Sequence, residues 1–200
     1  TAFLVARLAR EVFGSQNVAS CDLSKRRAAD EVLRATVGST SASWASNDRT
    51  DLAQADVILL VGSNITESNP VLALTIIKAM RQGKTVIVVD PRITESAQRA
   101  KIHLAVRPGG DMALLRGLLA HIVAQGLEDS ESASGLNGFA ELKAALRGVD
   151  IDAAAAEAGV DGALLRQAAE LFASAGTAAI VFGSGVAEGA QAAEVAAALA

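Results

Sequence analysis

Short apolar runs alternate with helical patterns through the middle of the chain. Val57–Val61 and Val86–Val89 are apolar at every position, which is typical of strands covered on both faces of a parallel sheet. Ile102–Val106 is predicted to be a third strand. Apolar residues at helical spacing predict helices over Val71–Arg81 and Thr94–Arg99 between these strands. The alternation predicts an α/β fold, a Rossmann-like parallel sheet flanked by helices and joined by right-handed crossovers.

Further elements are predicted on either side of this region. A first helix is expected over Ala2–Phe13, ending at Gly14, and a fourth strand over Ala178–Phe182, ending in glycine. Asn69 is a predicted N-cap followed by Pro70, and Asp161 is a possible cap for a later helix. The remaining predicted helices are Arg26–Thr36, Met112–Gln125, Ala140–Leu146, Ala153–Ala158 and Gly162–Ala173.

A change in composition predicts a domain boundary near residue 130. The stretch from Asp129 to Leu136 is polar and small, as in an inserted loop or a subdomain edge. We therefore expect residues 1–130 to form the Rossmann-like portion. Residues 131–200 are expected to form a helical segment that leads into a further strand and helix of an adjoining domain. Because both ends of the chain fall within helical patterns, we also expect it to be a piece of a longer protein.

Composition narrows the possible partners. The 200 residues are 51% hydrophobic and 3% aromatic, so the core must consist mainly of Ala, Leu, Val and Ile. The net charge of −4 offers no basic surface for nucleic acid or acidic lipid. The apolar runs are far shorter than the roughly 20 residues that span a bilayer, so no membrane insertion is expected. A single cysteine, Cys21, cannot form an internal disulfide and fits a reducing, cytoplasmic compartment.

Polar residues follow the predicted strands. In an open parallel sheet, ligands bind beyond the carboxyl ends of the strands, where loops present backbone N–H groups. Gly62, Ser63 and Asn64 follow the first strand, and the last two could donate hydrogen bonds to a phosphate or a sugar. Asp90 and Arg92 follow the second strand. The Asp90 carboxylate could accept hydrogen bonds from hydroxyl or base N–H groups, and the Arg92 guanidinium could donate two hydrogen bonds to phosphate oxygens. The sequence thus predicts a nucleotide-sized binding site at this side of the sheet.

Other candidates have simpler alternatives. Gly109 and Asp111 lie in a third turn, where Asp111 could merely cap the next helix, and Gly185 could be only a loop residue. His103 in a strand and His121 on a helix are more often packed or surface residues than bases or ligands. No P-loop and no Gly-x-Gly-x-x-Gly after the first strand are present. We therefore assign no catalytic residue and no metal ligand.

Three segments, taken in order, resemble the molybdopterin oxidoreductase family. They are Asp56–Pro70, Val86–Thr94 and Val106–Asp111, and the resemblance extends from Phe3 to about Gly185. It implies that these turns hold one guanine dinucleotide arm of a molybdenum or tungsten cofactor. The cofactor-binding residues implied in this way are Gly62, Ser63, Asn64, Asp90, Arg92, Gly109 and Asp111.

One departure from the family pattern bears on function. In formate-dehydrogenase-like members, a segment similar to Asn17–Cys21 continues to a metal-ligating Cys or selenocysteine followed by His, and these places are Lys25 and Arg26 here. Neither residue can be a thiolate ligand. This favours a likeness to the large iron-sulfur subunit of NADH-quinone oxidoreductase, respiratory complex I. The region would then be a scaffold with a vestigial, empty molybdopterin guanine dinucleotide pocket.

The resemblance to complex I carries further expectations. Iron-sulfur clusters are expected only in parent regions outside this chain, the partners would be other subunits of a redox complex, and the location would be the peripheral arm at the inner face of the membrane. The first alternative is the catalytic subunit of a formate dehydrogenase-like oxidoreductase that binds the guanine dinucleotide. The second is a nucleotide-binding or interaction module without a redox role.

Overall fold

Four parallel strands form one sheet in the part of the chain that the structure describes. The structure is a computed structural model, and it describes residues 2–16, 31–32, 35, 48–129, 138–187 and 189–199. The strand order is β3-β2-β1-β4, and every pairing is parallel. The strands are β1 (Val57–Val61), β2 (Thr85–Val89), β3 (Ile102–Leu104) and β4 (Ala178–Phe182). The predicted α/β class, a parallel sheet flanked by helices, is confirmed.

Helices cover both faces of this sheet. Within the described residues, no helix combines the length and the apolar character needed to cross a bilayer. The helices are α1 (Ala2–Arg7), a π-helical turn (Leu8–Val12), α2 (Arg49–Gln54), α3 (Ile65–Ser68), α4 (Pro70–Arg81), α5 (Glu95–Arg99), α6 (Asp111–Gln125), α7 (Phe139–Leu146), α8 (Ile151–Ala158), α9 (Gly162–Ala173), α10 (Ser184–Ala187) and α11 (Ala192–Leu199).

The two central strands are buried on both faces, as their continuous apolar sequences predict. Alternate residues of β1 point to opposite faces. Leu59 packs in the core formed with α6 and α9, whereas Ile58 packs in the core formed with α4 and α5. Ile58 and Leu60 are fully buried, at 0% exposure each. The sheet is therefore a layer between two sets of helices.

The connections reverse direction at β1. The crossovers through α4 and α5 lie on one face and lead from β1 outward to β2 and β3. The longer connection from β3 through α6 to α9 lies on the other face and returns the chain to β4, on the opposite side of β1. The carboxyl ends of β1 and β4 therefore form the topological switch point at which open α/β sheets bind ligands.

Several predicted helix starts are confirmed by capping contacts. Asn69 Oδ1 accepts a hydrogen bond from Leu72 N at 3.2 Å, and Pro70 begins α4. Asp161 Oδ1 accepts from Ala163 N at 2.7 Å at the start of α9. Each side-chain oxygen accepts a hydrogen bond from a backbone N–H group in the first turn, which has no acceptor within the helix.

Other boundaries differ from the predictions. Ile102–Val106 was too long for the third strand, because Val106 N bonds to Leu104 O at 2.8 Å and turns the chain away from β2. The first helix is α-helical only to Arg7 and continues as a π-helical turn. Most of the predicted helix over Arg26–Thr36 lies outside the described residues.

The predicted fourth strand belongs to the same sheet as the other three. β4 pairs in register with β1, with Leu59 opposite Ile180. The helical segment also contacts the strand-end turns, since Arg107 N donates to Ala158 O of α8 at 2.7 Å. Residues on both sides of position 130 thus build one sheet and its cover, and the assignment of separate domains stays a prediction.

Asp56 connects three strands at their amino ends. Its carboxylate lies 2.7 Å from Lys84 Nζ, just before β2, and accepts a bond from Thr177 Oγ1 at 3.1 Å, just before β4. The hydrogen bond from Lys84 makes the largest contribution to lowering the pKa of the Asp56 carboxyl below its usual range, and the hydrogen bond from Thr177 lowers it further. The ionised group therefore favours the folded state.

We predict that Asp56→Asn lowers the melting temperature at pH 7 by a few degrees. The lowered pKa means that the stabilisation is present above the unfolded-state value, about 3.9 for Asp, and is lost as the pH falls through the folded-state value. Thermal denaturation of both proteins from pH 7 downward should show the difference closing in acid. Glu141→Gln, at an exposed position of α7, is the matched control. A difference in melting temperature that does not change with pH would contradict a stabilising role for the ionised Asp56 carboxylate.

Candidate functional site at the strand ends

Glycine backbones meet where β1 and β4 end. Gly185 N donates to Gly62 O at 3.0 Å, and Gly183 N donates to Val61 O at 3.0 Å. Gly62 has φ +55, and a Cβ there would lie 3.0 Å from Val186 N. A Cβ on Gly183 would lie 2.7 Å from Gly62 O. The space beside Gly62 is thus filled by the turn after β4, which gives this glycine a packing role independent of any ligand.

Ser63 is packed in the same contact. It is 5% exposed, and a Cβ on Gly183 would lie 2.7 Å from the Ser63 Cβ. Asn64, the next residue, reaches the open side, where its Oδ1 accepts from Thr66 Oγ1 at 3.0 Å. That bond leaves the amide N–H groups of Asn64 as donors. Of the predicted triplet, therefore, only Asn64 lines the cleft described below.

Asp90 is a buried carboxylate at the end of β2. It is 2% exposed, and its Oδ1 accepts from Arg92 N at 2.8 Å. The Arg92 Nε lies 3.4 Å from the same oxygen, and the Arg92 side chain is 66% exposed. His103 of β3 contacts the Asp90 carbonyl oxygen through Nε2 at 2.8 Å. The backbone of Asp90 is thereby held from β3, and most of the Arg92 guanidinium stays open to solvent.

Asp111 is a second carboxylate close to Asp90. Burial raises the pKa of the Asp111 carboxyl above its usual range, and the negative charge of Asp90 raises it further. The bond from its own backbone N–H acts in the opposite direction. Asp111 is the first residue of α6 and Gly110 is the N-cap, so Asp111 does not act as the N-cap, which was the alternative to a binding role. Two neighbouring acceptors of this kind suit a ligand that presents several N–H or O–H donors.

A cleft of about 430 Å³ is formed by residues that follow β1 and β2, among them Arg92, which bonds to Asp90. Arg92 supplies a cation, whereas Glu67 and Glu95 supply carboxylates. Because the charges are mixed, the cleft suits a ligand with both anionic and donor groups better than a free polyphosphate. The residues that line it are Asn64, Thr66, Glu67, Arg92, Ile93, Thr94 and Glu95.

Six of the seven predicted binding residues fall into three groups on the same side of the sheet. Asn64 and Arg92 line the cleft, Asp90 and Asp111 form the carboxylate pair, and Gly62 and Ser63 pack against the turn after β4. Gly109 lies exposed in the turn before α6. Their roles toward a ligand stay predictions.

Sequence reasoning missed residues that support this site. His103 was interpreted as a packed or surface residue, and its bond to the backbone of Asp90 was not predicted. Thr94 caps α5, because its Oγ1 accepts a hydrogen bond from Ala97 N at 3.1 Å. A Thr followed by Glu at a helix start is a sequence pattern that predicts such an N-cap. Nothing in the linear sequence indicated that Glu67 and Glu95 would share a cleft, because they follow different strands.

The other histidine lies in the protein core. His121 is 4% exposed and lies 3.1 Å from Glu170 of α9, so it is a packed residue as expected. Within the described ranges, no group of three or more His, Cys, Asp or Glu side chains is arranged to hold a metal ion. Cys21, Lys25 and Arg26 lie outside those ranges.

Comparison with known proteins decides the family. The family model described as molybdopterin oxidoreductase matches residues 1–200. The chain belongs to the molybdopterin oxidoreductase family. The glycine turns, the carboxylate pair and the cleft are therefore features of one member of this family.

Similar sequences come from formate dehydrogenases. The chain is 32% identical over 187 residues to the F420-dependent formate dehydrogenase 2 subunit alpha of Methanococcus maripaludis, covering 93% of this chain and 27% of that protein. It is 33% identical over 187 residues to formate dehydrogenase H of Escherichia coli, covering 93% of this chain and 26% of that protein. The chain thus spans about a quarter of the length of these relatives. They support the formate dehydrogenase-like alternative, and the expected complex I subunit is left unconfirmed.

A solved structure shows the same fold. The acetylene hydratase from Pelobacter acetylenicus matches with a TM-score of 0.74 and 28% identity. The match covers 86% of this chain and 23% of that chain. The strand-and-helix arrangement described above is therefore shared with that protein.

We predict that Gly183→Ala destabilises the protein by about 1–3 kcal/mol, the range found when a well-packed interior is overfilled. The added Cβ meets the Gly62 oxygen and the Ser63 Cβ, both at 2.7 Å, and a backbone oxygen cannot move without disturbing β1. Chemical denaturation measures the change. Gly189→Ala is the comparison variant, since its Cβ would lie 3.3 Å from the nearest atom, Gly185 O, and a shift of a few tenths of an ångström would accommodate it, so we expect a clearly smaller loss of stability. Equal effects at the two positions would refute the packing role.

We predict that Asp111→Asn melts at the same temperature as the native protein, or higher, at pH 7. Because the folded-state pKa of Asp111 is raised, stability falls as the pH rises from about 3.9, the unfolded-state value, through the folded-state value. The variant escapes this loss, so its advantage should disappear in acid. Thermal denaturation at pH 7 and at about pH 4 measures both effects. Asp56→Asn, at a carboxyl shifted in the opposite direction, is the control, and a large loss of stability at pH 7 in Asp111→Asn would contradict the prediction.

Proposed function

We propose that this chain is part of the catalytic subunit of a formate dehydrogenase-like molybdenum or tungsten oxidoreductase, in which it binds one guanine dinucleotide arm of the molybdopterin cofactor. The observation that carries the proposal is that Arg92, which lines the cleft with Asn64, bonds to Asp90, whose charge in turn acts on the carboxyl of Asp111. Family membership and the formate dehydrogenase relatives support it.

The residues present fit such a ligand. Guanosine carries N–H and O–H donors, and two half-buried or buried carboxylates are acceptors. Charging Asp111 costs free energy in the protein alone because of burial and the neighbouring Asp90 charge. Donors from a bound base or ribose would offset that cost. A carboxylate pair kept at a cost to folding is the pattern expected of a binding site.

The remaining polar groups contribute hydrogen-bond donors and charges that the carboxylates lack. The Arg92 guanidinium, mostly exposed, pairs with phosphate oxygens, and the amide of Asn64 donates a neutral hydrogen bond. Glu67 and Glu95 keep the cleft from concentrating unrelated anions. His103 fixes the backbone of Asp90 and so acts as a positioning residue. When bound, the metal of the cofactor supplies the redox chemistry, while this chain binds and orients its nucleotide end.

The assembly proposed for the parent follows from the same relatives. Two of the formate dehydrogenases similar to this chain carry the designation subunit alpha. We therefore propose that the parent works with other redox subunits and that its iron-sulfur clusters lie outside these 200 residues.

A second candidate rests on Lys25. The family resemblance places a metal-ligating Cys or selenocysteine at this position and His at the next, where this chain has Lys25 and Arg26. An ammonium or guanidinium group cannot replace a thiolate as a metal ligand. This observation favours a complex I-type scaffold in which the nucleotide pocket has lost its ligand.

Metal and nucleotide analysis of the purified full-length parent separates the two candidates. The proposal predicts stoichiometric molybdenum or tungsten together with guanine nucleotide released on denaturation. We further predict that Asp111→Asn lowers the guanine nucleotide content at least tenfold. Losing a hydrogen bond to a charged group costs about 1.5–3 kcal/mol, and about 1.4 kcal/mol corresponds to a factor of ten.

The control for that experiment is Glu141→Gln, which alters an exposed carboxylate on α7 and should leave both contents unchanged. A parent free of both metals and of guanine nucleotide would reject the proposal in favour of the scaffold. A metal-containing parent whose nucleotide content is unaffected by Asp111→Asn would reject the role of the carboxylate pair alone.

A further inference from the structure

The last turn of α8 lies directly against the turn that leads to Asp111. Arg107 N donates a hydrogen bond to Ala158 O at 2.7 Å, and a Cβ on Gly110 would lie 3.0 Å from Ala158 Cα. Gly159 is the C-cap of α8, and a Cβ there would lie 3.2 Å from Arg107 Cβ. The turn therefore meets the end of α8 at two successive residues, with no room for an added methyl group.

α8 is held more firmly than the turn that it contacts. Ala155 and Ala158 are buried in the core between the sheet and the helices α6 and α9. At the start of α8, Asp150 Oδ1 accepts a hydrogen bond from Asp152 N at 2.9 Å. Arg107, in contrast, is exposed. Because a close-packed interior resists displacement, a change in this contact moves the turn rather than α8.

A displacement of the turn is transmitted to Asp111. Gly110 N donates to Arg107 O at 2.8 Å, and Leu114 N donates to Gly110 O at 3.0 Å as α6 begins. Asp111 lies between these two bonds, is partly buried and is acted on by the charge of Asp90. Its position relative to Asp90 therefore depends on how the turn is seated on α8.

We propose that the C-terminal turn of α8, through Ala158 and Gly159, is a positioning element of the nucleotide site that fixes Asp111 relative to Asp90. The identity of the ligand rests on the proposed function, whereas the positioning of the carboxylates does not. All seven predicted binding residues lie at or before Asp111, so the proposal gives a later part of the chain a role in the site. Binding groups must be held to about 0.5 Å by the residues that support them.

Glycines at two helix ends provide a matched pair of variants. Gly159 and Gly126 are both C-caps, with φ +76 and φ +64, and each donates hydrogen bonds to the last carbonyl groups of its helix. Asn adopts this left-handed conformation more readily than most other residues. A Cβ on Gly126 has nothing within 4 Å, whereas one on Gly159 meets Arg107. Gly159→Asn therefore disturbs the contact with the turn, and Gly126→Asn is the control for the cap.

The first test measures guanine nucleotide released by denaturation of the purified full-length parent. The 3.2 Å contact requires Arg107 to shift by a few tenths of an ångström. On the scale of roughly 100-fold per ångström of misplacement in enzyme sites, we expect Gly159→Asn to lower the nucleotide content about threefold. Gly126→Asn should leave it unchanged. Equal contents in the two variants of a nucleotide-containing parent would overturn the inference and leave the proposed function standing.

The second test needs no ligand and applies equally to a parent that lacks nucleotide. Asp111→Asn is combined with each glycine variant, and melting temperatures are measured at pH 7 and at about pH 4. A displaced turn moves Asp111 toward water and away from Asp90, so the gain from Asp111→Asn at pH 7 should be smaller with Gly159→Asn than with Gly126→Asn. A contact that serves stability alone would lower both melting temperatures without changing this gain. The same gain in both backgrounds would overturn the inference.

A second pair approaches the contact from the side of the turn. Gly110→Ala places its Cβ 3.0 Å from Ala158 Cα. Gly117→Ala is its control, because its Cβ would meet Ala154 Cβ of α8 at 3.3 Å without touching the turn. We expect Gly110→Ala to reduce the gain from Asp111→Asn and Gly117→Ala to preserve it. Preservation of the gain in both variants would count against α8 as the positioning element.

Discussion

The close contact between the turn after β1 and the turn after β4 is the constraint on which the strand-end site depends. Gly62 and Gly185 share a backbone hydrogen bond of 3.0 Å, and a Cβ on Gly183 would lie 2.7 Å from the Gly62 oxygen. Because a peptide oxygen is fixed by its strand, neither turn can move without the other. The contact sets the position of Ser63 and Asn64, and through them one wall of the cleft.

The two ends of the sheet have opposite electrostatic characters. At the amino ends, Asp56 is stabilised as an anion by Lys84 and Thr177, so its charge supports the fold. At the carboxyl ends, burial and the charge of Asp90 make ionisation of Asp111 unfavourable. A carboxylate whose ionised form is stabilised by its neighbours stabilises the fold. A carboxylate whose ionised form is destabilised can be stabilised by a ligand that donates hydrogen bonds to it, and this adds to the free energy of binding. This difference is the physical basis for placing the binding site at the carboxyl ends.

Fold and chemistry are separable in this family, and the chain illustrates the separation. Its arrangement of strands is shared with an acetylene hydratase and its sequence with formate dehydrogenases. The elements that would bind a nucleotide end are made by strand-end turns, which the fold itself brings together. The resemblance to the family implies that the metal ligand would come from a different segment, in which Lys25 and Arg26 occupy the places of a thiolate or selenolate and a histidine. The proposed nucleotide-binding turns and that altered position are therefore separate features of the sequence.

The sequence by itself determined the strands, most helices and the side of the sheet on which the site lies. Continuous apolar runs such as Val57–Val61 are recognisable because both faces of a central strand are buried, and caps such as Asn69 are recognisable because they act within a few residues. Only the tertiary structure decided that β4 joins β1, that His103 bonds to Asp90, and that Asp111 lies in the field of Asp90 rather than capping its helix. These facts depend on contacts between residues far apart in the chain, and local periodicity carries no information about which distant segments pack together.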